Sequence, residues 1–525
     1  MLSYRFLSST HTRRVTLHID HSYRMKTRVS TLHAIAISPV LVGGVSILIG
    51  VISLFLFASS QELPIETLPC FFFKPMMIGL LPFWCYNTSP AGSGYGSGYG
   101  YTYAEYYQRD CISIRGQNAL VTGANRGMGF EIAMALAKCG VDVTLACRNE
   151  RKCEEASEEI RKEEYIYSKR KTINDRNDGS SSTSTSSSTS SSPSTLLPPP
   201  TISAMVMDTS SLASVKAFSE KFLIENKGRA LDMLFLNAGR GALQDKQQQQ
   251  QRQQQQQQQQ QHQAEHIGAG YDTSTEHKLV LSPDGIELIF ATNYVGHHLL
   301  WKYLEPLVKL SNSNLNIEDG VRERERGERE RERESEQVGG RVILTSSVAS
   351  YFTFPHIVPT NLDELQGQQQ SLVSQKNWKY YGQSKLAQIL WVKKVARIMV
   401  ASEGDNDDDD DGNGNENGNE NINGARIFVN AANPGMVDTG IWNDMLPSWI
   451  QTISNYMRDR FYWSTKEGIL TLLYLGTATG ELMEKNITGK FFHPQAREVI
   501  NAKSTDEKLQ DELWKFSEEL IANFI

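Results

Sequence analysis

The chain has 525 residues, a formal net charge of −7 and 22% charged residues, so no basic excess draws it to nucleic acid, and none is expected as a partner. Its length exceeds one average domain, but several stretches are too poor in apolar residues to build a core. The six cysteines lie in the first third with no metal-ligand spacing and no small-domain disulfide framework. They read as free thiols or small buried hydrophobes, and no metal is expected.

Residues 1–33 are basic, with Arg5, Arg13, Arg14, Arg24, Lys26 and Arg28 against the single acid Asp20. Ala34 to Phe57 follows as 24 uncharged residues. At about 1.5 Å per residue this run spans a hydrocarbon core of about 30 Å, which predicts a transmembrane helix. The basic flank favours a cytosolic N-terminus, and the leader also looks like an organellar transit peptide. The expectation is a membrane-anchored protein of the endoplasmic reticulum or an organelle. Residues 58–110 hold a second apolar block, Leu68 to Tyr86, interrupted by Lys74, Pro69, Pro75 and Pro82, and then a Gly/Tyr-rich linker. One span or two remains open, and with it the side on which the rest of the chain lies. Asn87-Thr88-Ser89 and Asn486-Ile487-Thr488 match the glycosylation pattern, which matters only for a lumenal domain.

From about residue 111 to 525, strand-like and helix-like segments alternate, which predicts one α/β domain: a doubly wound parallel sheet of Rossmann type. The expected strands are Ala119–Thr122, Val141–Cys147, Ser203–Met207, Leu231–Leu236, Arg341–Thr345 and Arg426–Asn430. The expected helices are Gly127–Cys139, Asn149–Glu163, Leu212–Ile224, Ile286–Lys309 and Tyr380–Val400. Disordered low-complexity inserts are predicted at about 168–200 (Ser-rich), 247–263 (polyglutamine), 322–336 (Arg/Glu) and 405–423 (Asp/Asn/Gly). Three of these join a helix to the next strand, at the edge of the sheet away from ligands. The glutamine tract follows a strand and emerges on the ligand-binding edge.

Gly123, Gly127 and Gly129 lie between the first strand and first helix. Glycines there allow a tight turn and bring backbone N–H groups and the helix N-terminus to a pyrophosphate. An acid at the end of the second strand would favour NAD, through the ribose 2′-OH. The chain instead has Arg148 and Asn149 there, and Arg126 in the glycine turn. Two guanidinium groups suit a 2′-phosphate, so NADP(H) is the expected cofactor.

Tyr381-Gly-Gln-Ser-Lys385 puts a phenol and an ammonium one helical turn apart. The cation is expected to lower the tyrosine pKa and ready Tyr381 for proton exchange near neutral pH. The motif follows a strand ending Thr345-Ser346-Ser347, whose end should meet it at the same sheet edge.

In this order the motifs resemble the short-chain dehydrogenase/reductase family, over nearly all of Gln117 to Phe492 apart from the inserts. The resemblance implies a catalytic set of Asn293, Ser347, Tyr381 and Lys385. It implies cofactor contacts from Gly123, Asn125, Arg126, Gly127, Met128, Gly129, Arg148 and Asn149. Asp208, the Asn237-Ala238-Gly239 motif, Tyr381, Lys385, Pro434, Gly435, Val437 and Thr439 complete that set. Asp284-Gly285, Thr292-Asn-Tyr-Val-Gly-His-His-Leu-Leu300 and Ala146-Cys-Arg-Asn149 look like the retinol-dehydrogenase-like branch. That branch implies an oxidoreductase moving hydride between NADP(H) and a lipophilic carbonyl or alcohol, such as a retinoid, aldehyde, ketone or steroid. The alternative is a membrane-tethered NADP(H) sensor or assembly factor with little turnover. Self-association into a homo-oligomer is left open. His297, His298 and His356 have no required role.

Overall fold

The computed structural model describes residues 106–178, 199–241, 279–322, 339–353, 358–366, 376–404, 427–435, 437 and 462–525. The central strands are short apolar runs buried on both sides, the signature of a sheet covered on both faces, while the edge strands Ile202–Val206 and Arg497–Val499 are partly exposed. They are β1 (Asn118–Thr122), β2 (Asp142–Cys147), β3 (Ile202–Val206), β4 (Met233–Leu236), β5 (Arg341–Thr345), β6 (Phe428–Ala432), β7 (Lys490–His493) and β8 (Arg497–Val499). They form one sheet in the order β3-β2-β1-β4-β5-β6-β7-β8. All neighbours are parallel except β7 and β8, which pair antiparallel at the edge. The parallel doubly wound arrangement therefore holds for seven strands. The hairpin β7–β8 lies in the C-terminal region to which no strand was assigned from sequence.

The helices are α1 (Gly127–Lys138), α2 (Glu150–Asp178), α3 (Leu212–Asn226), α4 (Gly296–Arg322), α5 (Lys376–Gly404), α6 (Leu470–Thr477) and α7 (Glu507–Ile521). Alternate residues of β1 feed two separate cores: Ala119 and Val121 join α1, α2 and α6, and Leu120 joins α3, α4, α5 and α7. Chain order reverses between β1 and β4, so a crevice opens at the carboxyl ends of these strands.

Helix α2 continues to Asp178, past the predicted start of the Ser-rich insert at about residue 168. The expected helix from Ile286 starts instead as Leu288–Phe290 and a π-helical turn, Ala291–Val295, ahead of α4. The last predicted strand is displaced to Phe428–Ala432. The Ser, Arg/Glu and Asp/Asn inserts enter β3, β5 and β6 at their amino ends, and the glutamine tract follows β4.

The expectation of free cysteines is corrected. Cys111–Cys139 and Cys147–Cys153 are disulfide-bonded, with Cα–Cα distances of 5.0 and 5.7 Å. Sequence spacing missed both because pairing depends on where helix ends and strand ends meet in space. Cys70, Cys85 and the predicted span 34–57 lie outside the described residues. Among the described residues no helix is long and apolar enough to cross a membrane.

Candidate active site

The glycine turn is built by crowding on one side and openness on the other. Gly123 has φ +68°, and a Cβ there would lie 2.9 Å from Ala238 Cα. At Gly129 it would lie 2.5 Å from Gly123 O and 2.6 Å from Asn237 Nδ2. Gly127, at φ +61°, meets nothing within 4 Å, so its open side and the α1 N-terminus form a cradle for a phosphate group. Side chains at these positions would close that cradle, so the turn fits a dinucleotide. Arg126 is extended and exposed ahead of α1, and Asn125 and Met128 are partly buried beside it.

Asn237 holds three strands together at this edge. Its Nδ2 donates to Thr122 O at 3.2 Å, and its Oδ1 accepts from Thr345 Oγ1 at 3.1 Å. Thr122 Oγ1 in turn accepts from the backbone N–H groups of Asn237 and Ala238, both at 2.9 Å. Gly239 completes the turn, since a Cβ there would sit 3.3 Å from Asn293 Oδ1 and 3.7 Å from Lys385 Nζ.

Asn293 is fully buried in the π-helical turn. Its Oδ1 accepts from Arg240 N at 2.7 Å, and its Nδ2 donates to Arg240 O at 3.1 Å and Ser384 Oγ at 3.0 Å. Gln388 Nε2 donates to the Asn293 carbonyl at 2.8 Å. A π-turn inside a helix often marks a functional position. Here it carries Asn293 to the helix that bears Tyr381.

Ser347 begins the turn after β5 and bonds the Tyr381 hydroxyl. Lys385, 4% exposed, donates from Nζ to Thr345 O at 2.7 Å, with Nζ 5.8 Å from the Tyr381 ring centre. Gly382 is what allows this approach: a Cβ there would lie 2.6 Å from Phe352 O and 2.8 Å from Ala349 O.

The electrostatics differ from the sequence expectation. Burial raises the Tyr381 pKa above the ordinary phenol range, and the Ser347 hydrogen bond offsets this in part. Burial also lowers Lys385 to about 7. Desolvation penalises both charged forms, and the ammonium is turned to a backbone carbonyl. The phenol is therefore not acidified by Lys385 in this arrangement.

The expected cofactor residues are only partly gathered. Arg148 and Asn149 are exposed, and Asn149 Oδ1 accepts from Lys152 N at 2.9 Å at the start of α2. Asp208 Oδ1 accepts from Ser210 N at 3.0 Å and Ser210 Oγ at 2.6 Å. Pro434 and Gly435, the latter at φ +83°, follow β6, and Val437 bridges to Trp463. Thr439 and His356 lie outside the described residues. Sequence reasoning missed Gly382, Ser384, Gln388 and Arg240, whose parts are set by packing; a glycine next to the tyrosine of a helix was the one available hint. It also passed over His297, whose Nε2 lies 3.1 Å from Thr122 Oγ1 and Nδ1 3.2 Å from Asn293 O, bracing both motifs. Burial lowers its pKa to about 3, so it stays neutral.

A family model described as short chain dehydrogenase matches residues 117–184. Retinol dehydrogenase 14 of Homo sapiens is 23% identical over 415 residues, covering 78% of this chain and 87% of that protein. Retinol dehydrogenase 13 of Mus musculus is 25% identical over 415 residues, covering 78% and 85%. Among solved structures, a short-chain type dehydrogenase/reductase from Mycobacterium marinum overlaps with a TM-score of 0.37 at 16% identity, covering 73% of this chain and 94% of that one. The resemblance drawn from the motifs is thereby borne out.

Proposed function

We propose that this chain, similar to short-chain dehydrogenases of the retinol-dehydrogenase-like branch, is an NADP(H)-dependent oxidoreductase of lipophilic alcohols and carbonyls. The observation that carries the proposal is the convergence of Ser347, Tyr381, Lys385 and Asn293 at the carboxyl edge of the sheet, beside the glycine cradle. The nicotinamide cofactors of this family supply or accept hydride. The glycine turn and the α1 N-terminus would hold the pyrophosphate. Arg126 and Arg148 are exposed and free to meet a 2′-phosphate, which supports NADP(H) over NAD. Asp208, Asn237, Ala238, Gly239, Pro434, Gly435, Val437 and Thr439 would line the remainder.

In the reducing direction, Ser347 and Tyr381 hydrogen-bond the carbonyl oxygen of the substrate. Tyr381 donates its phenolic proton to that oxygen as negative charge develops there. Its high pKa suits it to hold the proton until that moment. Lys385, near pKa 7, stands one helical turn away and returns a proton to the phenolate. Asn293 holds the π-turn against Ser384 and keeps the Tyr381 helix in register. The oxidising direction reverses each transfer.

The lipophilic substrate class is supported by the names of the relatives and by the apolar run 34–57, which we read as a membrane anchor for a domain spanning about 111–525. The test is NADPH oxidation by the purified full chain with a panel of aldehydes, ketones and retinoids. Tyr381→Phe is expected to lose about 10³-fold in kcat while still binding NADPH. Equal rates for the two proteins, or tight NADPH binding with no turnover on any substrate, would sink the enzyme reading.

A further inference from the structure

Two features stand outside the chemistry above: the disulfides and the tripeptide Asn486-Ile487-Thr488. Cys139, Cys147 and Cys153 are each at most 5% exposed. Cys111–Cys139 ties the segment entering β1 to the end of α1, and Cys147–Cys153 ties the end of β2 to the first turn of α2. Disulfides persist in oxidising compartments and are rare where a thiol pool keeps cysteines reduced. The domain thus carries the mark of the first kind of compartment.

The tripeptide is presented as an acceptor site requires. Asn486 is exposed at the tip of the turn between the helical segment Thr479–Glu484 and β7. Its φ of 49° is left-handed, a conformation asparagine tolerates better than most residues. Ile487 is 4% exposed and anchors the turn from within, and Thr488 Oγ1 accepts from Val429 N at 3.1 Å. The turn feeds the amino end of β7, the sheet edge opposite Tyr381 and the glycine cradle. A bulky group at Asn486 would therefore project away from the cleft.

We infer that the domain folds in an oxidising compartment equipped for N-glycosylation, and that Asn486 carries an N-linked glycan. With the basic N-terminus held in the cytosol, this requires an odd number of membrane crossings before Cys111. Each disulfide forms by exchange: two protein thiols pass two electrons and two protons to the disulfide of a carrier, which leaves as a dithiol. In glycosylation the Asn486 amide nitrogen bonds to C1 of an oligosaccharide. The bond from C1 to its lipid-linked pyrophosphate breaks, and the amide proton leaves with that pyrophosphate. The inference does not depend on the proposed activity, and NADPH oxidation scores that activity separately.

The experiment uses the full chain expressed in a eukaryotic cell and recovered from membranes. In an Asn87→Gln background, which removes the other acceptor match, digestion with an N-glycanase is expected to increase gel mobility by one glycan. That step is lost when Asn486→Asp is added and kept when Thr488→Ser, which preserves the acceptor pattern, is added. NADPH oxidation by Asn486→Asp is expected to match wild type. In protein denatured without reductant, Cys111, Cys139, Cys147 and Cys153 should resist a maleimide probe and react once reduced. No shift in Asn87→Gln, a shift in Asn87→Gln that survives the addition of Asn486→Asp, or labelling of those cysteines before reduction overturns the inference. The Asn87→Gln digestion decides even if the doubly substituted variant misfolds.

Discussion

The two ends of β5 bury one cation each, and the two are treated differently. At the amino end Arg341 is fully buried. Its Nε and Nη1 donate to Gly476 O and Gly339 O, both at 3.0 Å, and its Nη2 donates to Gln117 Oε1. The Asp232 carboxylate lies close enough to favour its charge, and itself accepts from Asn118 N at 2.8 Å and Ser311 Oγ at 2.7 Å. Burial lowers Arg341 only to about 10, so it stays charged at neutral pH. At the carboxyl end Lys385 meets the Thr345 carbonyl and falls to about 7. A delocalised fork with several acceptors remains a fixed charge, whereas a compact ammonium with one is brought into the range where it loses its proton near neutral pH. The amino edge thus holds a fixed charge, while the carboxyl edge holds the group to which the proposed mechanism gives proton transfer.

Replacing each cation tests that division. Lys385→Met should lower kcat by about 100-fold or more. It should also stabilise the protein below pH 7. A buried lysine with a depressed pKa penalises the fold while protonated, and the penalty is relieved as pH rises from about 7 towards 10.5. Wild-type stability should climb over that window by on the order of a few kcal/mol, and the variant's should stay flat in urea melts taken across pH. A variant less stable at pH 6 would break the comparison. Arg341→Met should do the reverse, losing about 3 kcal/mol by leaving buried acceptors without their donor and Asp232 without its countercharge. Its turnover per folded molecule should match wild type, and slower turnover at unchanged Tm would contradict the assignment of this edge to stability. The smallest expected effect is that of Gly382→Ala. The added methyl presses on the Phe352 and Ala349 carbonyls and tilts Tyr381 from Ser347. About a tenfold loss in kcat with KM for NADPH near wild type would show that this glycine positions the phenol.

Much of this was legible locally. The six strands of the core were found within two residues because each is an apolar run cut off by glycine, a charge or a helix start. The glycine turn and the spacing of Tyr381 and Lys385 needed no tertiary knowledge, since helical geometry fixes their mutual reach. The hairpin β7–β8 was missed because three- and four-residue strands carry too little periodicity to stand out. The π-turn at Asn293 was missed because it depends on Arg240, Ser384 and Gln388, which come from other segments.

The sequence by itself determined the order of elements, the glycine turn and the helical spacing of Tyr381 and Lys385, all of which rest on short-range geometry. Tertiary structure alone decided the state of those side chains. It half-buried Tyr381 and buried Lys385, so that desolvation opposes the charged form of each, and it brought Cys111 to Cys139 and Cys147 to Cys153. Burial and pairing belong to the whole packed chain, and no local pattern encodes them.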